Sequence, residues 1–319
     1  MTIGLTSDVY FKIIRLIMNR LLVNILRGFI ILLSRFPLKF HYFLADIFAW
    51  FIKKIMKYRA GVIWTNVARS FPHLKYKALK DIVGDFYTHL GEIIAEAIWF
   101  SGSSYERLRR SGIVTVTNPE EINEMYESST SMTILSTHCG NWELLGGFLG
   151  YRTSTGEKLK IREKSIFVVY KKLTSEGFDR AFALNRVAPL EEVGTECEIE
   201  SRNILRFSIA HKNEKNVYIY PTDQSPYARA GKHPMGVFMN QETNAMLGSA
   251  VLAHKLSHSV MYMKMRRVQR GQYEMTLIPI CRDASTMEPE QIMRKYYDLL
   301  EQEINETPAN WLWSHKRWK

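Results

Sequence analysis

Residues 134–151 read ILSTHCGNWELLGGFLGY, and this stretch indicates the fold class of the protein. The apolar run that ends at Thr137 is typical of a buried strand, the residues from His138 to Gly140 are predicted to turn, and a helix is predicted to begin near Asn141. Catalytic groups of α/β proteins collect at the carboxyl ends of strands. His138 therefore stands where such folds place their chemistry.

Strand-like and helix-like segments alternate on either side of this stretch. The predicted strands are 112–117, 132–137, 165–170, 216–221, 258–265 and 273–280. The predicted helices are 119–128, 142–150, 176–186, 201–212, 244–257 and 288–306. This alternation predicts an α/β layered domain with a mixed, largely parallel sheet. The last two strands are joined by a short turn, which favours an antiparallel hairpin.

The size and the cysteine content exclude several classes of protein. A chain of 319 residues, 46% of them hydrophobic, can bury a large core without disulfides. Its three cysteines, Cys139, Cys197 and Cys281, are far apart and form no CxxC pair. A disulfide framework and a structural zinc site are therefore not expected.

The basic charge is concentrated in the first fifth of the chain. The formal net charge is +11, and residues 1–60 contribute +8 of it through ten basic and two acidic residues. Such a balance suggests an anionic partner, which could be nucleic acid, phospholipid, a phosphorylated substrate or an acidic protein. Because the basic residues alternate with long aliphatic and aromatic runs, a lipid surface is favoured over nucleic acid.

The N-terminal segment, residues 1–57, is predicted to form membrane-associated helices that precede a catalytic domain at 58–319. Arg20, Asn24 and Arg27 share one helical face, a pattern typical of a helix that lies in the membrane interface. A cleaved signal peptide fits poorly because basic residues interrupt every apolar run. A spanning helix and a buried helical hairpin with a solvated basic stripe remain open alternatives.

His138 and Glu143 are the candidate catalytic pair. A turn between them would let the carboxylate fold back on the imidazole, fix its tautomer and raise its basicity, as general-base catalysis requires. A structural histidine, with Asn141 as a helix N-cap and Glu143 interacting with the helix dipole, explains the same residues. Cys139 is a weaker candidate nucleophile, because adjacent side chains on an extended chain point apart.

Several motifs in order resemble those of the lipid A late acyltransferases, which are lauroyl and myristoyl acyltransferases of Gram-negative bacteria with a glycerolipid-acyltransferase-like fold. His138 and Glu143 match the HX4(D/E) motif within HCGNWE. The other matching segments are NVARSFP (66–72), VYKKL (169–173), FDRAFALNR (178–186), YPTDQSP (220–226), FMNQETNAMLGSAVLAHKL (238–256) and TPANWLWSHKRWK (307–319).

The resemblance implies an enzyme that transfers a fatty acyl chain from acyl carrier protein to a hydroxyl of a lipid A precursor, at the cytoplasmic face of the inner membrane. It implies His138 as the general base and Glu143 as its partner, with no cofactor, metal or covalent intermediate. Candidates for binding substrate or the oxyanion are Asn141, Lys171, Arg186 and Asp223. The family often has Arg-Pro where this chain has Lys171 and Lys172, so a bidentate contact there is not expected.

Other interpretations of these residues remain open. Asp223 fits an Asx turn and Arg186 a helix C-terminus equally well. The aromatic and basic tail, from Trp311 to Trp318, either clamps anionic lipid or packs at the membrane interface. The alternatives for function are an acyltransferase for another lipid, such as an amino-lipid or glycolipid and possibly using acyl-CoA, a non-catalytic lipid-binding protein, and a thiol hydrolase that uses Cys139.

Overall fold

The computed structural model describes residues 23–172, 176–226 and 233–318, and for residues 176–178 it describes the backbone alone. The α-helices of this part of the chain are α1 (23–34), α2 (Leu38–Lys54), α3 (Ala60–Ser70), α4 (Tyr76–Phe100), α5 (Tyr105–Ser111), α6 (Pro119–Ser128), α7 (Glu176–Arg186), α8 (Ile204–Ala210), α9 (Gly248–Lys255) and α10 (Pro289–Glu306).

The strands form an eight-stranded sheet and a separate hairpin. They are β1 (Val114–Val116), β2 (Met132–Ser136), β3 (Arg152–Thr153), β4 (Ile166–Tyr170), β5 (Glu198–Glu200), β6 (Val217–Pro221), β7 (His233–Phe238), β8 (Gln241–Ala245), β9 (Ser259–Gln269) and β10 (Gln272–Cys281). The large sheet has the order β3-β1-β10-β9-β2-β6-β4-β5. Its strands pair in parallel except for the antiparallel β9 and β10. The predicted α/β class, mixed sheet and terminal hairpin are confirmed.

The central strands are apolar because helices cover both faces of the sheet. All five residues of β2 are buried, and β6 is buried from Val217 to Tyr220. One core cluster joins Tyr218 and Tyr262 to helices α3, α4, α9 and α10, and a second joins Ile134 and Ile219 to α5 and α6. Burial on both faces explains the continuous hydrophobic runs that identified these strands.

Helix α2 packs against α4 through its small side chains. Ala45 and Ala49 are buried in this contact, and a Cβ at Gly91 of α4 would lie 2.7 Å from the Ala45 carbonyl oxygen. Many of the large side chains of α2 face outward, and Phe43 and Trp50 expose 63% and 57% of their surface. No helix in the described ranges is both long and apolar enough to cross a membrane.

Some predictions about the N-terminal segment lie beyond the described structure. Arg20 and the rest of residues 1–22 fall outside the described residues, so the basic stripe predicted there is not described as a whole. The domain boundary after residue 57 stays a prediction. Helix α2 lies on the N-terminal side of this boundary but packs on α4, which lies on the other side. Ile52 of α2 belongs to one of the two core clusters.

Two predicted helices differ from the structure. Residues Trp142–Gly150 form a 3₁₀ helix, in which three glycines weaken α-helical propensity. The predicted helix 244–257 begins at Gly248, because residues up to Ala245 pair in the β7–β8 hairpin. That hairpin turns at Met239 and Asn240, both at positive φ, and it lacks the Asn-Gly signal that predicts such turns.

Candidate active site

The strand register brings His138 beside Asp223. Strands β2 and β6 are parallel neighbours in which Ser136 lies opposite Pro221, so the residues two positions further on also meet. The Nδ1–H of His138 donates to Oδ1 of Asp223 at 2.6 Å, and the His138 backbone N–H donates to Oδ2 at 3.0 Å. The candidate base and its carboxylate partner therefore lie at the carboxyl edge of the sheet.

The hydrogen bonds define the tautomer of His138. The carboxylate of Asp223 only accepts, so Nδ1 carries the proton and Nε2 offers its lone pair. Burial lowers the pKa of His138, but the charge and hydrogen bond of Asp223 outweigh it and leave the pKa above its ordinary value. Burial acts to raise the pKa of Asp223, whereas His138 and the indole of Trp311 hold that pKa well below its usual range. The buried carboxylate orients the imidazole and, when the imidazole is neutral, leaves the lone pair on Nε2.

The predicted partnership of His138 with Glu143 is corrected. Glu143 accepts from the indole Nε1–H of Trp142 at 3.0 Å, and its other oxygen lies 3.5 Å from Nε of Arg186. Because the 3₁₀ helix begins at Trp142, the carboxylate is directed to Arg186 while Asp223 occupies Nδ1 of the imidazole. Glu143 acts on His138 through its charge, which raises the pKa of the imidazole.

Gly140 gives the turn after His138 its shape. It has φ +59°, and a Cβ at this position would clash with the carbonyl oxygen of Met265. Its backbone N–H donates to the carbonyl of Asn310 at 3.1 Å, and His89 Nε2 lies 3.0 Å from the Gly140 carbonyl oxygen. The turn is thus fixed from both sides and requires glycine.

Asn141 supports the site and does not face the substrate space. It has no exposed surface, its Nδ2–H donates to Glu96 at 2.7 Å, and its Oδ1 accepts from the backbone N–H of Glu143 at 3.1 Å. The prediction that Asn141 binds substrate or the oxyanion is therefore wrong. The alternative, an N-cap, is confirmed, with the difference that the capped helix is 3₁₀.

A buried carboxylate, Glu96 of α4, connects the turn after His138 to helix α2. Besides Asn141, it accepts hydrogen bonds at 2.8 Å from the hydroxyls of Tyr42 in α2 and Tyr273 in β10. Glu96 was not among the predicted site residues. The signal was present, since His89, Glu92 and Glu96 share one face of an otherwise apolar helical segment, and polar groups on a buried face must find partners.

The C-terminal tail is part of the active-site scaffold. Trp311 is 3% exposed and donates its Nε1–H to Oδ2 of Asp223 at 2.8 Å. Trp313 is buried, and the guanidinium of Arg317, also buried, donates to the Asn244 carbonyl and the Tyr297 hydroxyl. For Trp311, Trp313 and Arg317 both expectations, a lipid clamp and packing at the membrane interface, are wrong, because their side chains lie inside the protein. His315 and Trp318 are half-buried.

A cavity of about 940 Å³ opens beside Nε2 of His138. Its walls come largely from the 3₁₀ helix, β4, α8 and α9 and are mostly apolar, with Lys171 and Arg186 also lining it. The volume lies at the upper end of the range usual for ligand sites, and the lining suits an apolar ligand. The structure thus brings Lys171, Arg186 and His138 to one cavity, while Asp223 stands behind the base.

The thiol of Cys139 faces the core rather than the cavity. It is 2% exposed and belongs to the core cluster around Tyr262. Burial raises its pKa well above the ordinary value, which disfavours the nucleophilic thiolate.

Replacing Cys139 by alanine is expected to leave turnover within about twofold of the unaltered enzyme, because a buried structural thiol contributes packing and not chemistry. The measurement is the initial rate of acyl transfer by the purified variant. Complete loss of transfer in a variant with an unchanged thermal unfolding midpoint would instead support the thiol hydrolase alternative.

The α/β fold, the His138–Asp223 pair and the large apolar cavity are together typical of an enzyme that binds an apolar ligand. The chain matches the family model described as bacterial lipid A biosynthesis acyltransferase over residues 9–319. It therefore belongs to that family and is an acyltransferase of lipid A biosynthesis, and the non-catalytic alternative is set aside. A comparison with curated proteins found no match.

Proposed function

We propose that the protein transfers a fatty acyl chain from an acyl carrier protein thioester to a hydroxyl on a chain already attached to a lipid A precursor. The observation that carries this proposal is the placement of the oriented base at the end of an apolar cavity. An alcohol is a poor nucleophile until a base takes its proton, and His138 can accept that proton on Nε2.

The cavity has the length and the lining for an acyl chain. Strand pairing sets Ile166 level with Met132, and from there to His138 the sheet extends about 20 Å. The cavity lining includes Ile166 and also Glu163, just before β4. The carboxylate of Glu163 is satisfied within the protein, because it accepts from the Tyr105 hydroxyl at 2.8 Å and from the Glu192 backbone N–H at 2.7 Å.

The reaction proceeds in two steps without an acyl-enzyme. The hydroxyl proton moves to Nε2 of His138 while the hydroxyl oxygen bonds to the thioester carbon and the carbonyl becomes an oxyanion. Asp223 stabilises the imidazolium that forms. The oxyanion then collapses, the carbon–sulfur bond breaks, and the thiolate takes the proton from Nε2. The products are an acyloxyacyl group and the free carrier thiol.

Two cations at the cavity serve anionic parts of the substrates in this proposal. Arg186 is held beside Glu143 and lines the cavity, and Lys171 lines it at an exposed position. We propose that each contacts a phosphate of the lipid A precursor or the thioester of the acyl carrier protein. Their positive charge would also attract an acidic carrier protein during association. Glu143, as the neighbour of Arg186, orients that guanidinium.

We propose that helices α1 and α2 attach the enzyme to the cytoplasmic face of the inner membrane by lying in the interface. Their outward faces carry large apolar side chains, which soluble proteins rarely expose as a continuous patch. The exposed residues are Ile25, Phe29, Leu32, Phe43, Ile47, Trp50 and Ile55. Lys53, Lys54 and Lys57 follow at the end of α2 and suit anionic headgroups.

Replacing Phe43 and Trp50 together by serine is expected to weaken binding to vesicles that contain anionic phospholipid by about 10- to 100-fold, because two large side chains no longer enter the lipid. The measurement is co-sedimentation of purified protein with vesicles. Val237, also exposed but on the β7–β8 hairpin, provides the matched control as Val237→Ser. Unchanged binding of the double variant would contradict attachment through α2.

The proposed activity is tested with purified protein, a lipid A precursor and either acyl carrier protein or coenzyme A as the acyl carrier. We expect a product heavier by one acyl group, formed from the acyl carrier protein donor. Transfer from acyl-CoA alone would overturn the proposed donor. Transfer to an amino-lipid or glycolipid and not to the lipid A precursor would overturn the proposed acceptor.

A further inference from the structure

The lone pair of His138 is covered by a side chain that none of the preceding steps uses. The Gln224 side-chain nitrogen lies 3.2 Å from Nε2 of His138. Because Asp223 fixes the proton on Nδ1, Nε2 can only accept, and an amide nitrogen can only donate. Gln224 therefore makes the hydrogen bond that the acceptor hydroxyl must make during reaction.

The position of Gln224 is fixed by its neighbours. Asp223 precedes it and is held by His138 and Trp311, and the backbone N–H of Ser225 donates to Nε2 of His315 at 3.2 Å. Gln224 itself lines the cavity. The backbone that carries this amide is therefore anchored on both sides, and the side chain can move from Nε2 to a neighbouring oxygen in the cavity.

Four backbone donors near His138 are already engaged by the protein. The N–H groups of His138, Cys139 and Gly140 donate to Asp223, Thr137 and Asn310, and that of Glu143 donates to Asn141. An oxyanion formed next to Nε2 of His138 therefore cannot use these four N–H groups. The amide of Gln224 already contacts the atom that takes the hydroxyl proton.

Building on the proposed function, we propose that Gln224 is a catalytic residue, which covers Nε2 in the free enzyme and donates to the thioester oxyanion in the transition state. The acceptor hydroxyl displaces the amide from Nε2 when it binds. As the hydroxyl oxygen bonds to the thioester carbon and the carbonyl π electrons move to oxygen, the displaced amide N–H donates to that oxygen. The donation ends when the oxyanion collapses and the thiolate leaves.

The test compares Gln224→Ala with the unaltered enzyme under the acyl carrier protein assay. We expect kcat to fall by about 10²- to 10³-fold, with KM changed by less than about threefold. The acidic limb of the kcat/KM profile should move to higher pH, because a hydrogen bond that favours the neutral imidazole is lost. If Gln224 had only a structural role, its replacement would not move the acidic limb and would not lower kcat while leaving KM unchanged.

Two further variants keep the test decisive. Gln224→Glu retains the size of the side chain but removes the amide donor, so it should also lose kcat and should move the acidic limb upward further. It decides the question if Gln224→Ala does not fold. Gln269→Ala, at an exposed glutamine on the β9–β10 hairpin, is the matched control and should behave as the unaltered enzyme.

The results separate this proposal from the proposed function. If Gln224→Ala and Gln224→Glu retain kcat within about threefold while His138→Ala is inactive, the role of Gln224 is overturned and the base mechanism stands. A raised KM at unchanged kcat would assign Gln224 to substrate binding and would likewise overturn the proposal. If His138→Ala is fully active, the proposed mechanism itself fails.

Discussion

Replacing His138 by alanine is expected to reduce acyl transfer by at least about 10³-fold. The variant lacks the atom that accepts the hydroxyl proton. The Gln224 amide, which lies within hydrogen-bonding distance of that atom, cannot replace it because an amide nitrogen does not accept a proton. The measurement is product formed per enzyme with the acyl carrier protein donor, followed by mass spectrometry. Because the base acts in the chemical step, we expect the loss to appear in kcat rather than in KM.

The controls for His138→Ala are measurements of its folding and of its binding to membranes. The imidazole is part-buried at the carboxyl edge of the sheet, and its removal leaves the two core clusters intact. Vesicle binding and the thermal unfolding midpoint should therefore stay close to those of the unaltered protein. Wild-type turnover by purified His138→Ala would contradict the general-base mechanism.

Replacing Asp223 by asparagine is expected to lower kcat by about 10³- to 10⁴-fold. An amide in this place can donate to Nδ1 and thereby shift the imidazole proton to Nε2, where the lone pair is needed. The comparison variant is Glu143→Gln. In the unaltered enzyme Glu143 contacts Arg186 and acts on the imidazole only through its charge. A larger loss in Glu143→Gln than in Asp223→Asn would show that the pairing predicted from the HX4E motif is the functional one.

The pH dependence of this pair gives a second readout. The base works when neutral, so activity rises with pH through the pKa of His138, which Asp223 raises above 6.5. We expect the acidic limb of kcat/KM to lie above pH 6.5 in the unaltered enzyme. In Asp223→Asn the raising charge is gone, burial lowers the pKa, and the residual activity should have its acidic limb at lower pH.

Six strands (β1, β2, β4, β6, β9 and β10) and the position of the base could be predicted from sequence because they depend on local patterns. The short strands β3 and β5 and the hairpin strands β7 and β8 were not predicted. Buried parallel strands give continuous apolar runs, and His138 directly follows one of them. The same reasoning failed at the β7–β8 hairpin, where Met239 and Asn240 adopt positive φ through tertiary packing rather than through a turn signal.

The partner of His138 could not be predicted because it depends on which strands are neighbours. Asp223 is distant in sequence, and it meets the imidazole through the pairing of β2 with β6. Glu143 is closer along the chain, but the local 3₁₀ geometry directs its carboxylate to Arg186. Gln224 and the Trp311 indole belong to the site for the same long-range reason.

The most direct test of the central claim is mass spectrometry of lipid A from cells that lack this protein and from cells in which it is restored. The proposed function predicts that lipid A without the protein lacks one secondary acyl chain. The unaltered protein should restore that chain, and His138→Ala should not. An unchanged lipid A profile in the absence of the protein would contradict the assignment of a lipid A precursor as the acceptor.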